Sequence, residues 1–248
     1  MLEINKIYCG DSFELVEKID DKSIDMILED MPYNITACKW DVKIDLEKYW
    51  ESRKRIIKDN GAIVLFGSEP FSSALRMSNI KNYKYDWVWD KKIPSGMCNA
   101  KIMPMKQHEI ISVFINGKNF YYPQMTKRDK PIKSGGNKDS ISAGNTGIKG
   151  EYKKIYTEKY PTSNLVFDKI RRGSLHPTQK PVELFKYLIK TYTNENDLVF
   201  DGFLGSGTTA VACKQLNRNY IGIEKEQKYF EISIDRVDKV RVINREYF

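Results

Sequence analysis

Phe200-Asp201-Gly202-Phe203-Leu204-Gly205-Ser206-Gly207-Thr208-Thr209 is the stretch that decides the fold. A short apolar run, Leu198 to Phe200, leads into it, and a helical pattern from Thr208 to about Leu216 leaves it. Tyr220 to Ile223 then reads as a second strand, ending at Glu224. Strand, glycine turn, helix, strand and acid make a βαβ unit of the kind that holds an adenosine-containing ligand. Gly205 and Gly207 allow a sharp turn and a close approach of backbone to ligand. Glu224 follows Asp201 by 23 residues, near the roughly 20 expected for an acid that bonds ribose hydroxyls.

The turn also discriminates between ligands. A pyrophosphate site commonly carries a third glycine, but Thr208-Thr209-Ala210 follow Gly207 here. Asp201 stands before the loop and would repel a pyrophosphate, whereas it suits an ammonium group. These residues favour S-adenosylmethionine over a nicotinamide dinucleotide.

Upstream of this unit, Val182, Leu184, Phe185, Leu188 and Ile189 give a helix one buried face, with Pro181 at its first turn. The run His176-Pro177-Thr178-Gln179-Lys180-Pro181 precedes it. Further upstream the apolar run Ile24 to Leu28 ends in Asp30-Met31-Pro32-Tyr33. A buried strand there would deliver a carboxylate, a proline turn and an aromatic ring to the carboxyl edge of a sheet, where open α/β folds bind ligands. Taken alone, the four residues read more readily as a strand-end turn with a solvated acid. Asp11 follows another strand signal, Ile4 to Tyr8, and either faces a cleft or caps the helix that begins at Ser12 or Phe13. Leu46 to Lys58 has helical spacing, with Asn60-Gly61 as its stop, before the buried-strand run Ala62 to Phe66. Pro70 opens a helix through about Ser78. Tyr85 to Trp89 and Ile110 to Ile115 are strands, and His108 reads as a loop histidine between them. A long amphipathic helix spans about Gln227 to Val240.

The chain has 248 residues and a net charge of +8. Gly117 to Leu175 holds 13 Lys and Arg against 5 Asp and Glu, so this segment carries the whole excess. Its periodicity fades, it contains Gly135-Gly136, and it interleaves Phe120, Tyr121, Tyr122, Tyr152, Tyr156 and Tyr160 among its bases. A solubilising or disordered linker has such a composition. So does a region that meets phosphates with charge and bases with rings. Lys127, Arg128, Lys130, Arg171 and Arg172 are its candidate phosphate contacts. Cys9, Cys38, Cys98 and Cys213 are scattered, with no metal-ligand or disulfide spacing, and only His108 and His176 are present. A metal site is not expected. No run of about 20 apolar residues spans a membrane and no leader is visible at Met1-Leu2-Glu3-Ile4-Asn5, so the expected compartment is a reducing cytoplasm.

Together these stretches resemble the DNA amino-methyltransferases, whose signatures are D-P-P-Y and D-x-F-x-G-x-G. The order Asp30 turn, basic insert, glycine loop is similar to the β-group arrangement, a circular permutation. The resemblance covers nearly the whole chain, including Gly10-Asp11-Ser12 and the His176 to Pro181 run. It implies an α/β, Rossmann-like methyltransferase fold. That fold has a mixed, mostly parallel seven-stranded sheet with helices on both faces and an inserted target-recognition region. Residues 1–116 would form the catalytic half, 117–175 the insert and 176–248 the cofactor-binding half. The resemblance places Asp201, Phe203, Gly205, Ser206, Gly207 and Thr208 on the cofactor, Glu224 on its ribose and Asp11 toward its adenine. Thr178 and Lys180 would lie near the methionine carboxylate. Asp30, Met31, Pro32 and Tyr33 become the catalytic turn.

Two departures stand out. Met31 and Gly202 occupy positions where the family often has proline, and Gly202 is expected to loosen the loop. The implied partner is double-stranded DNA, with a second copy of the chain left open. The implied product is N6-methyladenine, because adenine enzymes usually open the turn with aspartate and many N4-cytosine enzymes with serine. N4-cytosine methylation, RNA methylation by the same fold, a nucleotide-dependent oxidoreductase and a silent DNA-binding module are the competing readings.

Overall fold

In the computed structural model the described residues are 2–33, 44–117, 120–133, 155–170, 173, 175–176 and 178–240. They fall into two units, Met1–Tyr122 with Ser163–Phe248, and Pro123–Thr162. The first is built on β1 (Lys6–Cys9), β2 (Ile24–Glu29), β3 (Ile57–Gly67), β4 (Tyr83–Ser95), β5 (Lys106–Ile115), β8 (Asn164–Val166), β9 (Leu198–Asp201) and β10 (Asn219–Glu224). Its helices are α1 (Ser12–Leu15), α2 (Leu46–Ile56), α3 (Phe71–Ser78), α4 (Val182–Tyr192), α5 (Thr208–Gln215) and α6 (Gln227–Asp238). The strand order is β1-β10-β9-β2-β3-β5-β4-β8. Pairing is parallel from β1 through β3 and antiparallel where β5 meets β3 and β4. These are the seven expected strands plus an eighth. The extra strand, β8, pairs parallel with β4 through only three residues. It is too short to show a period and lies in the basic stretch otherwise read as insert.

Both faces of the sheet are covered, which explains the continuous apolar runs. Along β2 and β3, Met26, Leu28, Val64 and Phe66 join one core layer with α4 and α5 residues such as Leu184, Leu188 and Ala212. Ile27, Ile63 and Leu65 alternate into the other layer with Tyr49 and Trp50 of α2 and Leu75 of α3. Truncating any of these fully buried aliphatic side chains to Ala would cost about 2–5 kcal/mol.

Three details differ from the sequence expectation. Helix α2 stops at Ile56, and Ile57 already has extended geometry and sits beside Ile24 in the ladder. Gly61 is therefore not a helix stop. A Cβ there would meet the Ile57 side chain at 2.7 Å and the Asp25 carbonyl at 2.8 Å, so glycine is needed for a close approach inside β3. His108 lies in β5, exposed and opposite Asp90, rather than in a loop.

The second unit contains β6 (Thr126–Lys133) and β7 (Ile155–Lys159), an antiparallel pair in which Thr126 faces Lys159 and Lys133 faces Ile155. Among the described residues no helix is long and apolar enough to cross a membrane. Nor is there a group of three or more His, Cys, Asp or Glu placed to hold a metal ion.

Candidate active site

The parallel strands β2, β9 and β10 deliver their last residues to one edge, so Glu29, Asp201 and Glu224 arrive together, with Asp30 following Glu29. A cavity of about 470 Å³ opens there, lined among others by Asp11, Asp30, Lys180, Asp201, Phe203 and Glu224. That volume lies within the range of small-molecule sites.

The glycine turn is set from below by Asp201, which is buried. Its Oδ1 accepts the Phe203 N–H at 2.9 Å and its Oδ2 accepts the Thr209 hydroxyl. Burial pushes the carboxyl pKa well up, and those donors offset only part of that. The sequence reading had this acid meeting an ammonium; its two described bonds hold the turn, and it also lines the cavity. Gly205 and Gly207 have φ of +56° and +85°, where an L side chain is strained. A Cβ on Gly207 would also meet Ser233 Cβ at 2.9 Å. Ser206 and Thr208 are buried, and Arg236 of α6 donates to Ser206 Oγ at 2.9 Å and to Thr208 Oγ1 at 3.4 Å.

Gly202 is tied rather than loose. Its N–H donates at 2.9 Å to Oε1 of Glu29, a carboxylate with no solvent exposure. Arg53 of α2 donates to the same oxygen at 3.0 Å and to Ser12 Oγ at 2.7 Å, while the Tyr49 hydroxyl donates to Glu29 Oε2 at 2.5 Å. A Cβ on Gly202 would lie 2.3 Å from Ser12 Oγ and 2.5 Å from Arg53 Nη2. The expectation of a loosened loop is corrected on this ground: the missing proline ring is replaced by a buried ion pair that grips the backbone N–H.

At one end of the cavity, Glu224 accepts the Gly205 N–H at 2.6 Å and the Glu226 N–H at 2.8 Å. Burial raises its pKa. A carboxylate has about four acceptor directions, so two remain for hydroxyl groups. Asp11 turns out to do both jobs weighed for it. It caps α1 through the Phe13 N–H at 2.8 Å, pairs with Lys225 at 3.0 Å, and lines the cavity. Burial would raise its pKa, but Lys225 and the Phe13 N–H bring it below the ordinary value.

At the other end, Asp30 is gripped on both oxygens. Lys180 donates to Oδ2 and the Tyr33 hydroxyl to Oδ1. Burial raises the Asp30 pKa and Lys180 offsets it only partly. The Met31 side chain is buried in the core, Pro32 lines the cavity, and the Tyr33 ring stacks on Phe71 at 5.1 Å. Lys180 thus has its ammonium on Asp30 and 3.4 Å from Glu109 Oε2. Thr178 is exposed and lies 3.0 Å from His176 Nδ1.

Sequence reasoning missed His176, which lines the cavity and packs edge-on to Tyr229. Burial and the nearby Lys180 push its pKa down to about 4. It also missed Glu29, Arg53 and Glu109. A carboxylate immediately before Asp30 was the available signal for Glu29. Of the candidate phosphate contacts, Lys127 and Lys130 are exposed on β6, and Arg128 donates to the Glu158 carbonyl at 3.0 Å. Arg171 and Arg172, like Cys38, Gly135-Gly136, Tyr152 and Pro177, lie outside the described residues.

The family model described as DNA methylase, for N6 and N4 methylases, matches residues 24–235. The Type II methyltransferase M1.MboII of Moraxella bovis is 29% identical, the match covering 92% of this chain and 95% of that protein. M.HinfI of Haemophilus influenzae is 28% identical over 96% of this chain and 69% of its own length. A crystal structure of M1.HpyAVI with SAM superposes with a TM-score of 0.63 at 26% identity, covering 93% of this chain and 98% of that one. The cytosine-N4-specific PvuII methyltransferase shares the fold, with a TM-score of 0.64 at 17% identity over 95% and 88% of the two chains.

Proposed function

The chain belongs to the N6-adenine and N4-cytosine family of DNA methylases, and we propose that within it this enzyme methylates the exocyclic N6 amine of adenine. The adenine is flipped out of double-stranded DNA, and S-adenosylmethionine is the donor. When bound, S-adenosylmethionine supplies a methyl carbon made electrophilic by its sulfonium. The residues present fit it: two acids at one end of the cavity, Asp11 and Glu224, retain acceptor capacity for hydroxyl and amino groups. Phe203 gives a flat apolar wall, and Gly205, Ser206, Gly207 and Thr208 form the turn that Asp201 sets. Thr178 and Lys180 border the same cavity, Lys180 beside Asp30.

The observation that carries the proposal is Asp30, half-buried on the wall of that cavity with its carboxylate held in one orientation by Lys180 and Tyr33. An exocyclic amine is a poor nucleophile because its lone pair is delocalised into the ring. Asp30 accepts one amino hydrogen and the Met31 carbonyl the other, which draws the nitrogen toward a tetrahedral shape and localises the pair. Pro32 stiffens the turn, and Tyr33 is the ring offered to the base. A base inside a duplex cannot reach this depth, so it must be flipped out. Transfer of the methyl group would break its bond to sulfur, leaving a neutral thioether, and would put the positive charge on the nitrogen, which must then lose a proton. Asp30, with its raised pKa, is placed to take that proton. Orientation and fixed charge supply most of the acceleration.

Asp30→Ala tests the reading. Methyl transfer to DNA should fall at least about 100-fold, while S-adenosylmethionine affinity by calorimetry stays nearly unchanged. Substantial residual transfer would refute the role of Asp30.

A further inference from the structure

The reaction as proposed leaves one conflict in the site. Both oxygens of Asp30 already have donors, and the donor on Oδ2 is a buried ammonium. An ammonium there neutralises the carboxylate that must attract the target amine. Moving it away without a second anion would strand a buried charge, which is strongly unfavourable.

A second anion is in place. Glu109 of β5 stands opposite Trp89 of β4. Its Oε1 accepts the Lys91 ammonium at 3.2 Å. Its Oε2 is buried and, among the described residues, has no hydrogen-bond partner, yet it lies 3.4 Å from the Lys180 nitrogen. Buried carboxylate oxygens in native proteins are nearly always bonded, so an orphan beside a cation calls for a functional account. A shift of about 0.5 Å would bring Lys180 to ordinary charge-assisted hydrogen-bond distance. Lys91 and Lys180 balance Asp30 and Glu109, so the cluster stays neutral whichever carboxylate holds Lys180. Burial pushes both carboxyls up and Lys180 pulls both down; Asp30 ends above its ordinary value and Glu109, with Lys91 as well, below.

We propose that Glu109 is a positioning residue for methyl transfer: its Oε2 receives the Lys180 ammonium when the hydrogen of the target amine takes the place of that ammonium on Asp30 Oδ2. The inference rests on the methyltransferase reading above. No bond is made or broken in this step; Lys180 exchanges one carboxylate for the other, and Asp30 regains full negative charge as the amine arrives.

The test is Glu109→Gln, which keeps the volume and removes the charge. We expect kcat to drop ten- to a hundredfold, with S-adenosylmethionine and DNA affinities within about twofold of wild type. The acid limb of kcat/KM should move to lower pH, because the charge of Glu109 raises the Asp30 pKa. In a Lys180→Met background, Glu109→Gln should add no further loss. An unchanged kcat, an unmoved acid limb, or an equal loss in both backgrounds would overturn the proposal. If a melting curve shows that Glu109→Gln does not fold, Glu109→Asp decides instead. It keeps the charge but draws the carboxylate back from Lys180, so kcat should fall about tenfold while S-adenosylmethionine affinity holds, and a wild-type kcat overturns the idea. Wild-type protein that methylates no DNA refutes the functional reading, whereas active wild type with an unaltered Glu109→Gln variant refutes only this inference.

Discussion

Placing a proline after the aspartate of the glycine turn, where the family resemblance leads one to expect it, should damage this protein. In Gly202→Pro the backbone N–H that donates to Glu29 Oε1 is lost. A hydrogen bond to a buried charged group contributes about 1.5–3 kcal/mol. The ring would also enter space where even a Cβ lies 2.3 Å from Ser12 Oγ and 2.7 Å from Glu29 Oε1, and overpacking of this kind costs about 1–3 kcal/mol. The two effects amount to roughly 2.5–6 kcal/mol, or a fall in melting temperature of roughly 5–20 °C for a chain of this length. Cofactor affinity should fall with it, because the displaced residue precedes Phe203 and Gly205 on the cavity wall. Thermal unfolding followed by near-ultraviolet circular dichroism reads the first effect, and calorimetric titration with S-adenosylmethionine the second. A Gly202→Pro variant that melts at or above wild type and binds the cofactor equally well would refute the claim that Glu29 and Arg53 have taken over the job of the proline.

Other predictions follow from the same geometry. Arg53→Met leaves the unexposed Glu29 carboxylate without its cation and should destabilise the protein by about 3–5 kcal/mol; a change under about 1 kcal/mol in urea titration would contradict that account. His176, held near a pKa of about 4, should stay neutral in nitrogen-detected NMR at pH 6. Because its folded pKa is depressed, the folded state loses stability as pH falls from about 6.5 toward 4; His176→Gln should lessen that loss. The acid limb of kcat/KM should sit above the ordinary aspartate value, since Asp30 must be ionised to accept the amine and burial raises its pKa. Neutralising Lys127, Arg128, Lys130, Arg171 and Arg172 should weaken DNA binding and reduce the salt slope by about 0.9 for each phosphate contact removed. An unaltered slope would place those contacts elsewhere.

The fold was legible where local chemistry and tertiary structure agree. Ile24 to Leu28 and Leu198 to Phe200 are buried on both sheet faces, so their apolar runs announce central parallel strands. The glycine turn needs positive φ at Gly205 and Gly207, and that need shows in the sequence as glycine. Glu224 was found because the length of a βαβ unit sets its distance from Asp201. What stayed hidden depends on side chains distant in sequence. Asp30 and Lys180 are 150 residues apart, and Arg53 and Glu29 are 24 apart. Neither pair has local periodicity, and an isolated Arg or Glu reads as a solvated face. The end of α2 was misplaced because Gly61 is explained by the crowding of Ile57 and Asp25 around it, which no local rule encodes.

The central claim of the proposed function is the identity of the product. Purified protein would be incubated with S-adenosylmethionine and unmethylated duplex DNA, the DNA digested to nucleosides, and the nucleosides separated by mass spectrometry. The account predicts N6-methyladenine as the methylated nucleoside, appearing with wild type and absent with Asp30→Ala. N4-methylcytosine as the main product would contradict the adenine assignment.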